Sequence, residues 1–268
     1  MARPWERFFV AVARLCAWCV VVTPFAVVAV LVGVAVAGQQ RPDIVFFLGN
    51  LVVQLFATLL VAGVGTSLGG SIGIGTALLT RELVSPGPAR PFAAAFDFLC
   101  ACPAVVLGWF GALLVLPALA HEGSAAVFLC AAIVVTIAVM PRAYLLARRV
   151  FDAVPPELRD AASAAGAATS RIAAHVVLPA VRHRIAGVYA DAFARSVGEA
   201  AAVTVVFLAA VRAGYPVSLF TIPSAIMARA STTQLLDAGI AQSALVILVL
   251  AAAAKTMAAR RIGQVQWV

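Results

Sequence analysis

Asp191, Arg195 and Glu199 lie four residues apart inside an apolar stretch of the 268-residue chain, residues 185–211. On an α-helix this spacing puts all three on one stripe, each about one turn from the next. A charged side chain at the middle of a bilayer costs about 2.5–3.5 kcal/mol even on the mildest insertion scale. The stripe must therefore face protein or a water-filled path. Arg195 can pair with both carboxylates, which would make the stripe a staple between helices. It can also exchange a carboxylate for an anion, because the planar guanidinium donates two parallel hydrogen bonds to an oxyanion. In that reading Glu199 holds the guanidinium while the site is empty, and Asp191 sets its position. A proton-coupled carrier or an intramembrane enzyme would instead use Asp191 and Glu199 to move protons.

Little else in the sequence could react. His121, His175 and His183 lack metal-ligand spacing, so no metal site is expected. Cys16, Cys19, Cys100, Cys102 and Cys130 lie in or beside apolar runs, as small buried thiols do. There is no Gly-x-x-x-x-Gly-Lys-Ser/Thr, so a P-loop is excluded. The chain is expected to carry no catalytic residue and no cofactor of its own.

The elements that must hold the stripe are membrane helices. The chain is 64% hydrophobic, with mean hydropathy +1.06, and its net charge of +8 sits mostly as arginine between the apolar blocks. That distribution fits the positive-inside rule and argues against nucleic acid. Apolar runs of about 20 residues suit a core of about 30 Å. Six are expected, at about 15–37, 51–80, 92–116, 125–145, 185–211 and 238–254. Ala35-Val36-Ala37 resembles a signal-peptidase site, but the run before it is long for a signal, and it is read as a retained span. Residues 212–237, with Pro216 and Pro223, could dip back into the membrane. Of nineteen basic residues, three lie at the N-terminus, two near Arg81, seven in the central loop and three at the C-terminus, all on one side. This puts both termini in the cytoplasm. Gly65, Gly69 and Gly73 form a small-residue stripe that lets helices approach closely.

The longest polar interruption, residues 155–179, reads PPELRDAASAAGAATSRIAAHVVLP. Two prolines and Glu157 suit a helix start. Gly166 can end that helix, Thr169 or Ser170 can cap a second, and Pro179 can turn the chain back. The pattern Asp160-Ala161-Ala162, three residues, Gly166, nine residues, Val176-Val177-Leu178-Pro179 resembles the cytoplasmic loop of ABC importer permeases, with Asp160 for the usual Glu and Val176 for Ile. The resemblance implies a coupling helix that sits in a groove of an ATPase subunit through Asp160, Ala161, Ala162 and Gly166.

A narrower resemblance follows. Ala194-Arg195-Ser196-Val197-Gly198-Glu199 is similar to the Arg-Ala-x-Gly-Glu signature of phosphate-importer permeases. Gly73-Ile74-Gly75 with Glu82, and the stretch from Cys102-Pro103-Ala104 to Gly108-Trp109-Phe110-Gly111, resemble two further segments of that family. The resemblance implies an all-α integral membrane protein with the type I ABC importer permease fold. Residues 1–50 would be an N-terminal helix and outer loop, and 51–268 the permease core, with its coupling loop at about 149–184. It further implies phosphate passing Asp191, Arg195, Gly198 and Glu199, and location in the bacterial inner membrane. The implied partners are two ATP-binding subunits that hold ATP and Mg, a second, related permease subunit, and an extracytoplasmic substrate-binding protein. Three positions depart from the family: Ala104 and Ala200 replace a serine and a threonine, and Leu146-Ala147-Arg148-Arg149 replaces a Thr/Glu-rich stretch. Permeases for sulfate, molybdate or tungstate share the coupling loop and are the alternative.

Overall fold

The computed structural model describes residues 22, 26, 28–30, 32–33, 44–84, 86–119, 123, 125–217, 220–230 and 238–263. Among them the chain is helical and has no strand. Most of the expected first span, with Cys16 and Cys19, lies outside the described residues.

α1 (Ile44–Leu78) is 35 residues long and runs on through a wide π-type turn, Leu79–Leu83. It lies along α4 (Ala125–Asp152), and glycine sets their separation. A Cβ on Gly65 would sit 2.5 Å from Val135 Cγ1, one on Gly69 2.7 Å from the Thr136 carbonyl oxygen, and one on Gly73 2.5 Å from the Met140 carbonyl oxygen. The two backbones therefore touch at Gly69 and Gly73, and Gly65 seats the Val135 side chain, the close approach expected of the stripe. α4 supplies the core itself, with Val127, Val134, Val135, Val139 and Phe151 fully buried.

The sequence predicts a single bent span over 92–116. The structure instead has α2 (Pro86–Ala101) and α3 (Ala104–Phe110), the latter continued by the wide turn Gly111–Val115 and the helical residues Leu116–Ala118. The two arms meet at 99°. Pro103 is the cause: its ring disfavours helical geometry at Cys102, and it has no N–H to continue the ladder. α3 packs on α8 (Ala200–Arg212), where a Cβ on Gly108 would lie 2.7 Å from the Ala202 carbonyl oxygen.

After α4 come α5 (Pro156–Ala164), the short α6 (Thr169–Ile172) and α7 (Leu178–Gly198). Two local expectations fail here. The N-cap of α6 is Ala168, and no side chain caps the helix. Pro179 does not turn the chain, because the wide turn Ala173–Val177 joins α6 to α7 and absorbs the missing donor. The turn Gly111–Val115 stands in the same relation to Pro117.

α7 and α8 are bent by 41° at Glu199, whose backbone is non-helical (φ −77°, ψ 63°). α9 (Ile222–Ala230) returns to the bundle, its Ile222 N–H donating to Thr58 Oγ1 on α1 at 2.9 Å. α10 (Ala238–Gly263) packs along α7. Both α4 and α10 outrun the apolar segments at 125–145 and 238–254, continuing as helix through Arg148 and Arg149 and through Arg260 and Arg261. Among the described residues three helices are long and apolar enough to cross a bilayer (Leu51–Leu83, Ala125–Asp152 and Gln242–Ile262), or up to five if each bent pair is one span. Large apolar side chains such as Phe56, Leu68, Leu113 and Val249 are more than half exposed, a surface suited to lipid or a partner.

Candidate functional site

α7 is the helix the others grip. Ser196 and Thr66 of α1 share a hydrogen bond of 2.9 Å, and Tyr189 and Ser71 share one of 2.8 Å. A Cβ on Gly187 would meet Ile262 at 2.7 Å, which keeps α10 against the opposite side. α7 therefore has α1, α4 and α10 around it, and the stripe of Asp191, Arg195 and Glu199 lies in that company.

The charges separate into two groups. Asp191 is buried and does not pair with Arg195. Its Oδ2 accepts from Arg142 Nε on α4 at 2.7 Å, and its Oδ1 accepts from Lys255 Nζ on α10. One carboxylate thus ties three helices and satisfies two cations. Arg195 and Glu199 form the other group, with Arg195 Nη2 3.8 Å from Glu199 Oε2 and Nε 3.4 Å from the Ala138 carbonyl oxygen. Both distances exceed those of a well-made hydrogen bond. The Glu199 carboxylate is 8% exposed, whereas the Arg195 side chain is 35% exposed.

Glu199 stands at the α7–α8 break, and Gly198 beside it is exposed, with no heavy atom within 4 Å of where its Cβ would be. Open space, a loosely held guanidinium and an interrupted backbone therefore coincide. In a membrane, irregular backbone of this kind is tolerated where it meets protein or a water-filled cavity.

Sequence reasoning placed Arg142 and Lys255 at the cytoplasmic ends of their spans and missed their pairing with Asp191. The signal was available in principle. A carboxylate in an apolar helix requires a partner, and both basic residues sit at the ends of apolar segments that must pack on α7.

The polar loop forms a second candidate site. α5 carries Asp160 and Ala161 exposed, Ala162 partly buried and Gly166 exposed just past its end. Gly166 has φ 78°, donates to the Ser163 carbonyl oxygen at 2.9 Å, and is followed by Ala167 N–H on Ala162 O at 3.1 Å. This is the left-handed glycine termination expected there. No residue of α5 is buried, and Ala162 alone of its apolar side chains packs on the core, so contact area holds it only weakly. Arg159 anchors it. Its Nη2 and Nε donate to the two Glu82 carboxylate oxygens at 2.8 and 3.2 Å, and it also donates to the Val154 and Phe151 carbonyls at 2.7 and 2.8 Å. The Glu82 side chain is 7% exposed. Sequence reasoning noted Glu82 but gave Arg159 no role.

This helical arrangement is the fold of ABC importer permeases. It matches a permease chain of a bacterial alginate ABC transporter, solved with its alginate pentasaccharide-bound periplasmic protein, with TM-score 0.63 and 16% identity over 98% of this chain and 99% of that one. It matches the inward-facing MetNI methionine ABC transporter with TM-score 0.58 and 12% identity over 83% and 99%.

In sequence the chain is similar to phosphate transport system permease proteins PstC. It is 27% identical over 211 residues to that of Haemophilus influenzae, 26% over 174 residues to that of Mesorhizobium japonicum, and 28% over 223 residues to that of Pasteurella multocida. These matches take in 70%, 57% and 74% of this chain and 66%, 53% and 68% of the relatives. The chain thus spans about two thirds or less of the length of the first two. No family profile matches it.

Proposed function

We propose that the chain is a permease subunit of an ATP-driven importer and carries inorganic phosphate across the bacterial cytoplasmic membrane. The reading takes the type I permease fold with six spans, the sixth being the segment at 15–37, and with both termini in the cytoplasm. The partners are two ATP-binding subunits holding ATP and Mg, a second permease subunit related to this one, and an extracytoplasmic substrate-binding protein. α5, through Asp160, Ala161, Ala162 and Gly166, is the contact with the ATPase.

The observation that carries the reading is the state of Arg195. It lies one turn before the helix break at Glu199, is 35% exposed, and is held by Glu199 only at 3.8 Å. A hydrated oxyanion entering a bilayer must exchange water for fixed donors, and a guanidinium so weakly engaged is free to provide two. Glu199 then serves as the resting counter-charge and Asp191 as the anchor that orients α7. The similarity to phosphate permeases supports phosphate as the anion.

The test is uptake of radiolabelled phosphate, sulfate and molybdate by cells carrying the whole system, wild type against Arg195→Lys. Phosphate uptake that is lost in Arg195→Lys, with normal membrane assembly, is the expected result. Uptake of sulfate or molybdate but not phosphate would move the assignment to another oxyanion. Transport by the purified chain alone, without nucleotide, would replace it with a carrier.

A further inference from the structure

Where the turn after α1 meets the start of α2 and the inner end of α4, a cleft of about 520 Å³ is lined by Thr80, Arg81, Arg90, Tyr144, Arg148 and Asp152. Arg81 pairs with Asp152. Neither Arg90 nor Arg148 has an acid partner among the described residues. Glu82, next to Arg81 in sequence, is held by Arg159, and Asp97, seven residues beyond Arg90 on α2, pairs with neither arginine. Three guanidiniums thus face one carboxylate, and the Tyr144 hydroxyl lies beside them, while the Thr80 hydroxyl donates to the Thr76 carbonyl oxygen at 2.8 Å.

We propose that this cleft binds a phosphate group at the cytoplasmic face of the membrane, at a place separate from Arg195. The chemistry is that of planar guanidiniums converging on a multiply charged oxyanion. The side of the membrane follows from the distribution of arginines, and the site does not depend on what the pathway carries. Two sources present this group: the head of an anionic phospholipid and free inorganic phosphate. The surroundings favour the lipid. Leu79 and Leu83, on the turn that carries Arg81, and Phe92, on the helix that carries Arg90, are 42%, 46% and 49% exposed, so the cationic cleft borders an apolar surface. A basic pocket at that depth suits an inner-leaflet headgroup.

The test uses the full chain in detergent, with two arms. Native mass spectrometry reads retention of added phosphatidylglycerol against phosphatidylcholine. Equilibrium dialysis reads radiolabelled inorganic phosphate in an Arg195→Gln background, so that pathway binding does not contribute. At least one anionic probe should bind, and Arg90→Gln with Arg148→Gln should weaken that binding about thirtyfold, at the usual contribution per arginine near a membrane surface. Arg148→Gln alone removes one exposed side chain and should weaken it about fivefold, which keeps the test decisive should the double variant misfold. Arg182→Gln, an exposed arginine on α7 outside the cleft, should leave it unchanged. Loss confined to phosphatidylglycerol identifies the lipid, and loss confined to inorganic phosphate identifies the free ion. No binding of either probe, or an equal loss in Arg182→Gln, overturns the proposal and leaves the uptake reading intact.

Discussion

Replacing Asp191 by asparagine keeps the side-chain shape and removes the one charge that Arg142 and Lys255 share. Uncompensating a buried ion pair costs about 3–5 kcal/mol. That figure is an upper bound here, since the Arg142 and Lys255 side chains are 42% and 46% exposed and can turn towards water. A net loss of about 2 kcal/mol is the working value, or a fall in Tm of about 4–8 °C for a chain of this size. Arg195→Gln is the necessary contrast. It removes contacts of 3.8 and 3.4 Å, longer than those of Asp191, so its cost should stay below that of Asp191→Asn although Glu199 loses its cation. The assay is fluorescence-monitored thermal unfolding of the detergent-solubilised chain, run beside phosphate uptake in cells. The expected pattern is crossed: Asp191→Asn melts early, while Arg195→Gln melts closer to wild type and transports nothing. A wild-type melt for Asp191→Asn, or undiminished uptake in Arg195→Gln, would refute the division of the stripe into an anchor and a substrate contact.

Gly69→Leu should cost at least about 2 kcal/mol, because even a Cβ would meet the Thr136 carbonyl oxygen at 2.7 Å; the melting temperature reads it. Arg159→Met should leave Glu82 buried without its partner and free α5, costing about 3 kcal/mol. Limited proteolysis within residues 153–168 should quicken in that variant. Gly166→Leu places a side chain at φ 78°, strained by about 1–2 kcal/mol. It should uncouple ATP hydrolysis from transport without preventing membrane insertion, and ATPase subunits that still copurify and still respond to loaded binding protein would rule α5 out as the contact.

The parts legible in the sequence were those fixed by local chemistry. The Gly65, Gly69 and Gly73 stripe, the glycine stop at Gly166 and the apolar helices around 51–80 and 125–145 each follow from a short window of residues. What was not legible depended on partners from distant segments. Asp191 and Arg195 are neighbours on one helix face, yet Asp191 turns to α4 and α10 because Arg142 and Lys255 reach it first. Pro103 signalled a bend but not a right angle, since that angle is set by what α3 packs upon. Pro179 suggested a turn, but a widened helical turn ahead of it removed the need for one. The anchoring role of Arg159 became visible only once Glu82 and two carbonyls were seen to converge on it.

The glycine seam between α1 and α4 has a mechanical consequence. Where side chains separate two helices, rotamer changes let them slip past each other in small steps. Here backbone meets backbone at Gly69 and Gly73, with no compliant layer between, so sliding would have to jump a whole helical turn of about 5.4 Å. The pair therefore behaves as one stiff beam. α5 is clasped to the end of that beam through Arg159 and Glu82. A push delivered at α5 displaces the beam as a unit, and bending is left to the two places where the chain is already interrupted, the elbow at Pro103 and the break at Glu199.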